Sequence, residues 1–389
     1  MSGFLDPKPL TRAGLDAATA AELASPGSAT NTALSGAFGR QIPPLHGVRY
    51  KAYGHSFGVY DAGTSMNLWP NALYHARIRD VIRADSSMYL NACVGNDQMK
   101  DTAQRALGDA TRFWNAGDFG LITLMGAQND FGRNRSAMGI QSYIDSLRAF
   151  LSTVRAKTRI ESAAATKANA SDFVVMANSG CSNGQFEYTS TIGGTFTFTG
   201  NTFTDATLML VGFSDGGGSN FEVRVDGVLK ASGNLSFRHT ATGNNFAQFG
   251  PVPVQLTGLT NTAHTVEVKS VAGSGTTLSV DCLLPWTATP PQVVLIKDVK
   301  DTTAGYARYS SPPTDADVVT WNGYMTNVAN EFPADGSITI ADAYSIYDPA
   351  TMTGADGQHP NDRGHATIAE SVLTALAPLP YRKGMTVSA

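Results

Sequence analysis

The sequence has little cysteine: Cys93, Cys181 and Cys282 in 389 residues. Three scattered thiols exclude a disulfide framework and a cysteine-rich zinc site. Cys181 and Cys282 stand near the two ends of one β-rich stretch, so a pair between them stays open beside the reading of free buried thiols. Long apolar runs are missing too. No segment approaches the ~20 apolar residues that span a bilayer. The N-terminal MSGFLDPKPLTRAGLDAATAAELASP lacks the apolar core of a signal peptide, so synthesis without a signal peptide is expected and any export needs another route. Strong charge of one sign is also absent. A formal net charge of −4 gives no electrostatic pull toward nucleic acid or an anionic membrane.

The length fits more than one unit able to bury a core, and 42% hydrophobic residues fit a globular chain. Residues 1–45, rich in Ala, Ser, Thr and Gly, read as a leader or attachment segment. In 46–168, strand-like runs (GVRYKAYG, SSMYLNACVG, DFGLITLMG) alternate with helical periodicity over Asn71–Ala84, Asp101–Ala116 and Gln141–Lys157. From 169 to 289 the pattern changes to short strands such as GGTFTFTG, ATLMLVGF, NFEVRVDG and HTVEVKS, separated by turns such as SDGGGSN. In 290–389 the α/β pattern resumes with VVLIKDV, a helix over Asp317–Phe332, ITIADAY and a helix over Pro360–Leu376. The fold class expected is α/β: a doubly wound parallel sheet interrupted by an inserted β-sandwich of jelly-roll type. Such an insert has adjacent ends and is expected to be removable with a short linker.

Gly54-His55-Ser56-Phe57-Gly58 matches the G-x-S-x-G nucleophile elbow. An elbow of that kind follows several strands, whereas barely one strand precedes Ser56. A serine at the end of a first strand suits a sheet whose site lies at the carboxyl ends of its strands. Near the other end, TGADGQHPNDRGHATIAESVL places Asp356 and His359 three apart before a helix. That spacing lets the carboxylate reach Nδ1 while Nε2 faces outward to take a serine proton.

Serine first and D-x-x-H-P last resembles the SGNH (GDSL-like) hydrolase family, over residues 47–165 and 290–380. His55 stands where that family has the aspartate of G-D-S. Its N-x-G-x-x-G block corresponds to Asn91-Ala92-Cys93-Val94-Gly95-Asn96, which puts Asn96 at the donor position, with Gly95 kept beside it. Its G-x-N-D block corresponds to Gly126 through Asp130, with Asn129 as the asparagine. The resemblance implies an SGNH/flavodoxin-like sheet, a catalytic triad of Ser56, Asp356 and His359, and an oxyanion hole from Ser56, Gly95 or Asn96, and Asn129. It implies acyl transfer through a covalent ester by a carboxylic ester hydrolase, with no metal or cofactor. His55, His75 and His365 read as structural or exposed, and Asp130 as a loop support. Arg133 and Arg135 read as substrate contacts or solvated charges. His46, His239 and His264 lack metal-ligand spacing.

The substrate expected is an acylated, O-acetyl-bearing polysaccharide of a cell envelope. The sandwich resembles the carbohydrate-binding-like jelly rolls of some carbohydrate esterases, and no apolar lid is present. The N-terminal segment resembles leaders of phage tail proteins. That resemblance implies carriage on the virion to the host wall, with other tail proteins as partners. A glycan-binding tail module on a non-catalytic hydrolase scaffold is a second reading, and a lipid or thioester hydrolase a third.

Overall fold

The structure is a computed structural model that describes residues 49–59, 73–82, 89–113, 120–178, 180–241 and 248–377. The segment expected as a leader and His46 lie outside these residues. A five-stranded sheet is built from β1 (Arg49–Gly54), β2 (Tyr89–Asn91), β3 (Gly120–Met125), β15 (Gln292–Ile296) and β16 (Ile338–Ala341), in the order β16-β15-β3-β1-β2. All four pairings are parallel. Both faces are covered. Residues of α2 (Met99–Phe113), α3 (Ala137–Val154) and α4 (Asp315–Ala329) pack on one side with Ile122, Leu124, Val293 and Leu295. Residues of α1 (Tyr74–Ile82) and α5 (Asp362–Leu376) pack on the other with Leu121, Val294 and Ile296. Alternate residues of one strand thus enter different cores, so β3 and β15 read as unbroken apolar runs.

Between β3 and β15 the chain forms two antiparallel sheets. Their strands are β4 (Ile160–Glu161), β5 (Thr166–Ala168), β6 (Val174–Ala177), β7 (Gln185–Thr189), β8 (Thr195–Phe203), β9 (Ala206–Phe213), β10 (Asn220–Val225), β11 (Val228–Asn234), β12 (Phe249–Leu256), β13 (Thr262–Val271) and β14 (Leu278–Pro285). One sheet runs β11-β10-β13-β8-β5. The other runs β12-β9-β14-β7-β6, with β4 on β14. Their facing sides share Phe196, Phe198, Leu208, Leu210, Val223, Val254, Val268 and Val280.

The doubly wound α/β class is therefore corrected. Antiparallel strands outnumber the parallel ones, and the parallel sheet is small, with five strands. The physical reason lies in β9 and β14. The far side of that sheet does not face water: Met209, Cys282 and Leu284 join Leu147, Phe150 and Val154 of α3 in one apolar cluster. A shift of register between Val280 and Cys282 turns Cys282 and Leu284 toward the helices while Leu283 stays with the sandwich interior. Trp286 completes the seam: its ring stacks on Phe332 at 5.4 Å between centroids and its Nε1 donates to Thr207 Oγ1 at 3.1 Å. Excising the sandwich would strip these groups from a shared core. Cys181 and Cys282 are both free and buried.

One consequence is measurable. Leu284→Ala should cost about 2–5 kcal/mol, as for other buried leucines. In calorimetry it should shift one cooperative transition that includes both the sandwich and the helices around the parallel sheet. Two resolved transitions with only one displaced would mean that the sandwich is held independently of the seam.

Candidate functional site

β1 ends at Gly54 and leads into a 3-10 turn, Ser56–Gly58. Gly54 pairs with Met125 of β3. A Cβ on Gly54 would lie 2.6 Å from the Met125 carbonyl oxygen, and its φ is +155°. The turn is backed by Cys93: a Cβ on Gly58 would lie 2.2 Å from its Sγ. The Gly58 carbonyl accepts from His75 Nε2 at 2.9 Å and Asn91 Nδ2 at 2.7 Å. His75 is thus a buried support of the turn that carries Ser56. Burial pushes its pKa down to about 4, keeping the ring neutral.

The far end of the chain meets this turn. Ser56 Oγ lies 2.9 Å from His359 Nε2. His359 Nδ1 lies 2.5 Å from Asp356 Oδ2, which leaves Nε2 as the acceptor for the serine proton. Partial burial works against the Asp356 carboxylate. The hydrogen bonds from His359 Nδ1 and from the Gln358 and His359 N–H groups outweigh it and hold its pKa below the ordinary carboxylate value. Arg308 Nη1 adds a contact to Asp356 Oδ2 at 3.2 Å. The three sequence-predicted residues are therefore brought together in one hydrogen-bonded chain.

The other predicted residues lie on neighbouring strand ends. Gly95 and Asn96 occupy the turn between β2 and α2. Asn96 has φ +67°, a left-handed conformation that asparagine tolerates. Its Oδ1 accepts from Arg133 Nη2 at 3.0 Å. Asn129 is buried and donates through Nδ2 to the Asp97 carbonyl at 2.8 Å; a primary amide carries two N–H donors, so a second remains for a ligand. Asp130 is buried, and its Oδ2 accepts the Met99 N–H at 2.9 Å, tying this block to the start of α2. Arg135 is spent on the Phe131, Ser311 and Pro312 carbonyls and Ser311 Oγ. His365 is buried, and its Nδ1 accepts the Tyr74 N–H. His239 is held by Ser142 and Pro251, and His264 by Asp226 and Thr260.

Sequence reasoning missed one wall of the cleft. The Tyr309 ring lies on Gly132, where a Cβ would come within 2.3 Å of it, and Gln358 Nε2 donates to Tyr309 Oη at 2.5 Å. Arg308 precedes this tyrosine in the chain, Arg133 follows Gly132, and both arginines are exposed. Beneath it, Gln128 Nε2 donates to Asp301 Oδ1 at 2.6 Å. Burial raises the Asp301 pKa to about 8, which leaves it protonated at neutral pH. Of the two readings of His55, structural or exposed, the structure shows the first: its ring is 2% exposed and bonds to Asp298.

No family model matches the chain, and no curated protein matches it. It is similar in part to several solved structures. One is an exo-β-1,3-galactanase from Phanerochaete chrysosporium with β-1,3-galactotriose, at 18% identity and a TM-score of 0.27, over 33% of this chain and 29% of that one. Another is the catalytic domain of a GH87 α-1,3-glucanase with nigerose, at 15% identity and a TM-score of 0.28, over 38% and 32%. A third is the CBM36-1 domain of a multidomain xylanase from the hindgut metagenome of Trinervitermes trinervoides, at 14% identity and a TM-score of 0.25, over 34% and 98%. The chain thus spans about a third of the length of the galactanase and the glucanase. These neighbours are carbohydrate-active enzymes or a carbohydrate-binding module. The SGNH and phage-tail resemblance is accordingly corrected: the similar structures lie elsewhere, and the chain is not assigned to that family. The carboxylic ester hydrolase class that the family implied is corrected likewise: the two similar enzymes are a galactanase and a glucanase, and neither is an ester hydrolase.

The nucleophile turn itself can be tested. At Gly54 the clash is with backbone on a paired strand, which cannot swing aside, so Gly54→Ala should destabilise by about 2–4 kcal/mol. An unchanged midpoint in denaturant would show that β1 and β3 can separate there freely.

Proposed function

We propose that Ser56 is the nucleophile of a covalent acyl transfer and that the acyl group comes from an acylated carbohydrate. The observation that carries this is the chain Ser56–His359–Asp356, with 2.9 Å from Oγ to Nε2 and 2.5 Å from Nδ1 to the carboxylate. His359 takes the Ser56 proton as Oγ bonds to the acyl carbon. The negative charge on the carbonyl oxygen is met by the Ser56 N–H, the second Nδ2 hydrogen of Asn129, and the N–H of Gly95 or Asn96. When the bond between the acyl carbon and the sugar oxygen breaks, His359 gives its proton to that oxygen and the sugar leaves as the hydroxyl. A second nucleophile, water in the simplest case, then loses its proton to His359 and displaces Oγ, which takes that proton back from His359.

The carbohydrate reading rests on the wall beside His359. Gln358, Tyr309, Arg308 and Arg133 present amide, hydroxyl and guanidinium groups. They suit a polyhydroxylated leaving group better than an alkyl chain. An oligosaccharide is also the class of compound bound in the galactanase and glucanase structures.

Ser56→Ala and His359→Ala should each lower release of acetate from acetylated oligosaccharide by a factor on the order of 10⁴. Asn129→Ala should lower kcat by roughly 10²–10³ with little change in KM. The Asp356 carboxylate is held below the usual range, so it stays charged and keeps its bond to His359 until well into acid. Turnover by folded Ser56→Ala at the wild-type rate would refute the nucleophile, and the same result for folded His359→Ala would refute His359 as base.

A further inference from the structure

The residue before the nucleophile is a buried histidine bonded to a buried aspartate from the opposite end of the chain. Asp298 follows β15 and is fully buried. Its Oδ1 lies 3.1 Å from His55 Nε2, and its Oδ2 accepts the Ala127 N–H at 2.7 Å. A carboxylate can only accept, so Nε2 carries the proton. Nδ1 then faces the Phe57 N–H as acceptor, at a long 3.5 Å, and the ring caps the turn that holds Ser56. Ala127 lies two residues before Asn129 in the chain. One carboxylate therefore grips the residue before the nucleophile and the segment that carries an oxyanion donor. The clasp is itself fixed: Asn322 on α4 accepts the Asp298 N–H and donates to the Asp298 carbonyl, both at 2.9 Å.

We propose that Asp298, acting through His55 and the Ala127 N–H, is a positioning residue that sets Ser56 in register with Asn129. This rests on the reading of Ser56 as nucleophile. A buried charge with a histidine partner could be had anywhere in a core. Here the two oxygens divide between the two strand ends that the chemistry must hold together. Displacement by about 1 Å is enough to lose on the order of 10² in rate. The ring that bonds to Asp298 also fixes which imidazole nitrogen is left for Phe57. Asn at 298 would present an amide donor to Nε2, or turn its oxygen away from Ala127, so one of the two grips would be lost.

The test compares His55→Gln, His55→Ala and Asp298→Asn. It reads hydrolysis of p-nitrophenyl acetate and the rate at which a fluorophosphonate labels Ser56, followed by intact mass. Glutamine keeps an N–H near the Nε2 position. His55→Ala should lower kcat by roughly 10²-fold and labelling by a similar factor, with KM within about twofold of wild type. His55→Gln should recover to within about tenfold of wild type, with Asp298→Asn slower than His55→Gln. The proposal is overturned if folded His55→Ala keeps wild-type kcat and labelling, if its loss falls on KM alone, or if glutamine rescues nothing. Should His55→Ala fail to fold because it strands a buried charge, the order of the other two decides, and Asp298→Asn at the wild-type rate overturns it. Failure of the parent reading looks different: wild type is not labelled at Ser56, and Ser56→Ala turns over normally.

Discussion

Ser56 and His359 are separated by 303 positions, and their contact depends on how closely β1 packs against β3. Glycine at 54 permits that approach, since any side chain there would meet the Met125 carbonyl. With β1 between β2 and β3, the loops that follow all three strands open on the same edge. The parallel order carries β15 and β16 away on the β3 side. The crevice outside the carboxyl ends, where the chain changes direction between β1 and β3, is where such sheets leave room for a ligand. Ser56, Asn96 and Asn129 follow β1, β2 and β3 in turn, and His359 stands just before α5.

The second constraint is burial on both sides of β9 and β14. A sandwich strand with one wet face alternates, as β10 does. β9 is buried along nearly its whole length, and β14 along all of it. Each lies between the sandwich interior and the helices. This continuity removes the boundary that an independent insert would have. It also explains paired glycines on β9 and β12: Gly212 opposes Gly250, and the His239 ring fills the space where their side chains would be.

Several parts of this were legible in the sequence. Asp356 and His359 were readable because a turn brings residues three apart into contact without help from the rest of the fold. The helix expected over Asp317–Phe332 runs over Asp315–Ala329, and a capping box of Thr314 and Asp317 sets its start. Asp298, Arg308 and Tyr309 were not readable. Their partners lie on other strands, and no local spacing encodes a contact of His55 with a residue 243 positions away. His55 was read as structural or exposed, and burial against Asp298 decides for the first. The family reading rested on four short motifs over 47–165 and 290–380, whereas most of the strands belong to antiparallel sheets between those segments, with a different packing logic. The run ATLMLVGF was read only as one of the short sandwich strands, and nothing local says that its second face meets a helix.

The same packing fixes where the sandwich stands relative to the cleft. The loop after β11 is fastened to α2 and α3 by three polar contacts in sequence. Arg238 pairs with Asp145 at 2.6 Å, His239 Nδ1 accepts from Ser142 Oγ at 3.0 Å, and the Thr240 carbonyl accepts from Lys100 Nζ at 3.0 Å. Ser142, Asp145 and Lys100 are buried, and so are His239 and Thr240. Burial lowers the His239 pKa to about 3, so the ring stays neutral and these bonds persist across the physiological range. Lys100 lies one residue into α2, whose first N–H is held by Asp130 beside Asn129. The sandwich loop and the candidate oxyanion segment thus share the first turn of a single helix. A displacement of one is resisted by buried bonds to the other, which makes the sandwich a rigid extension of the cleft edge rather than a tethered module.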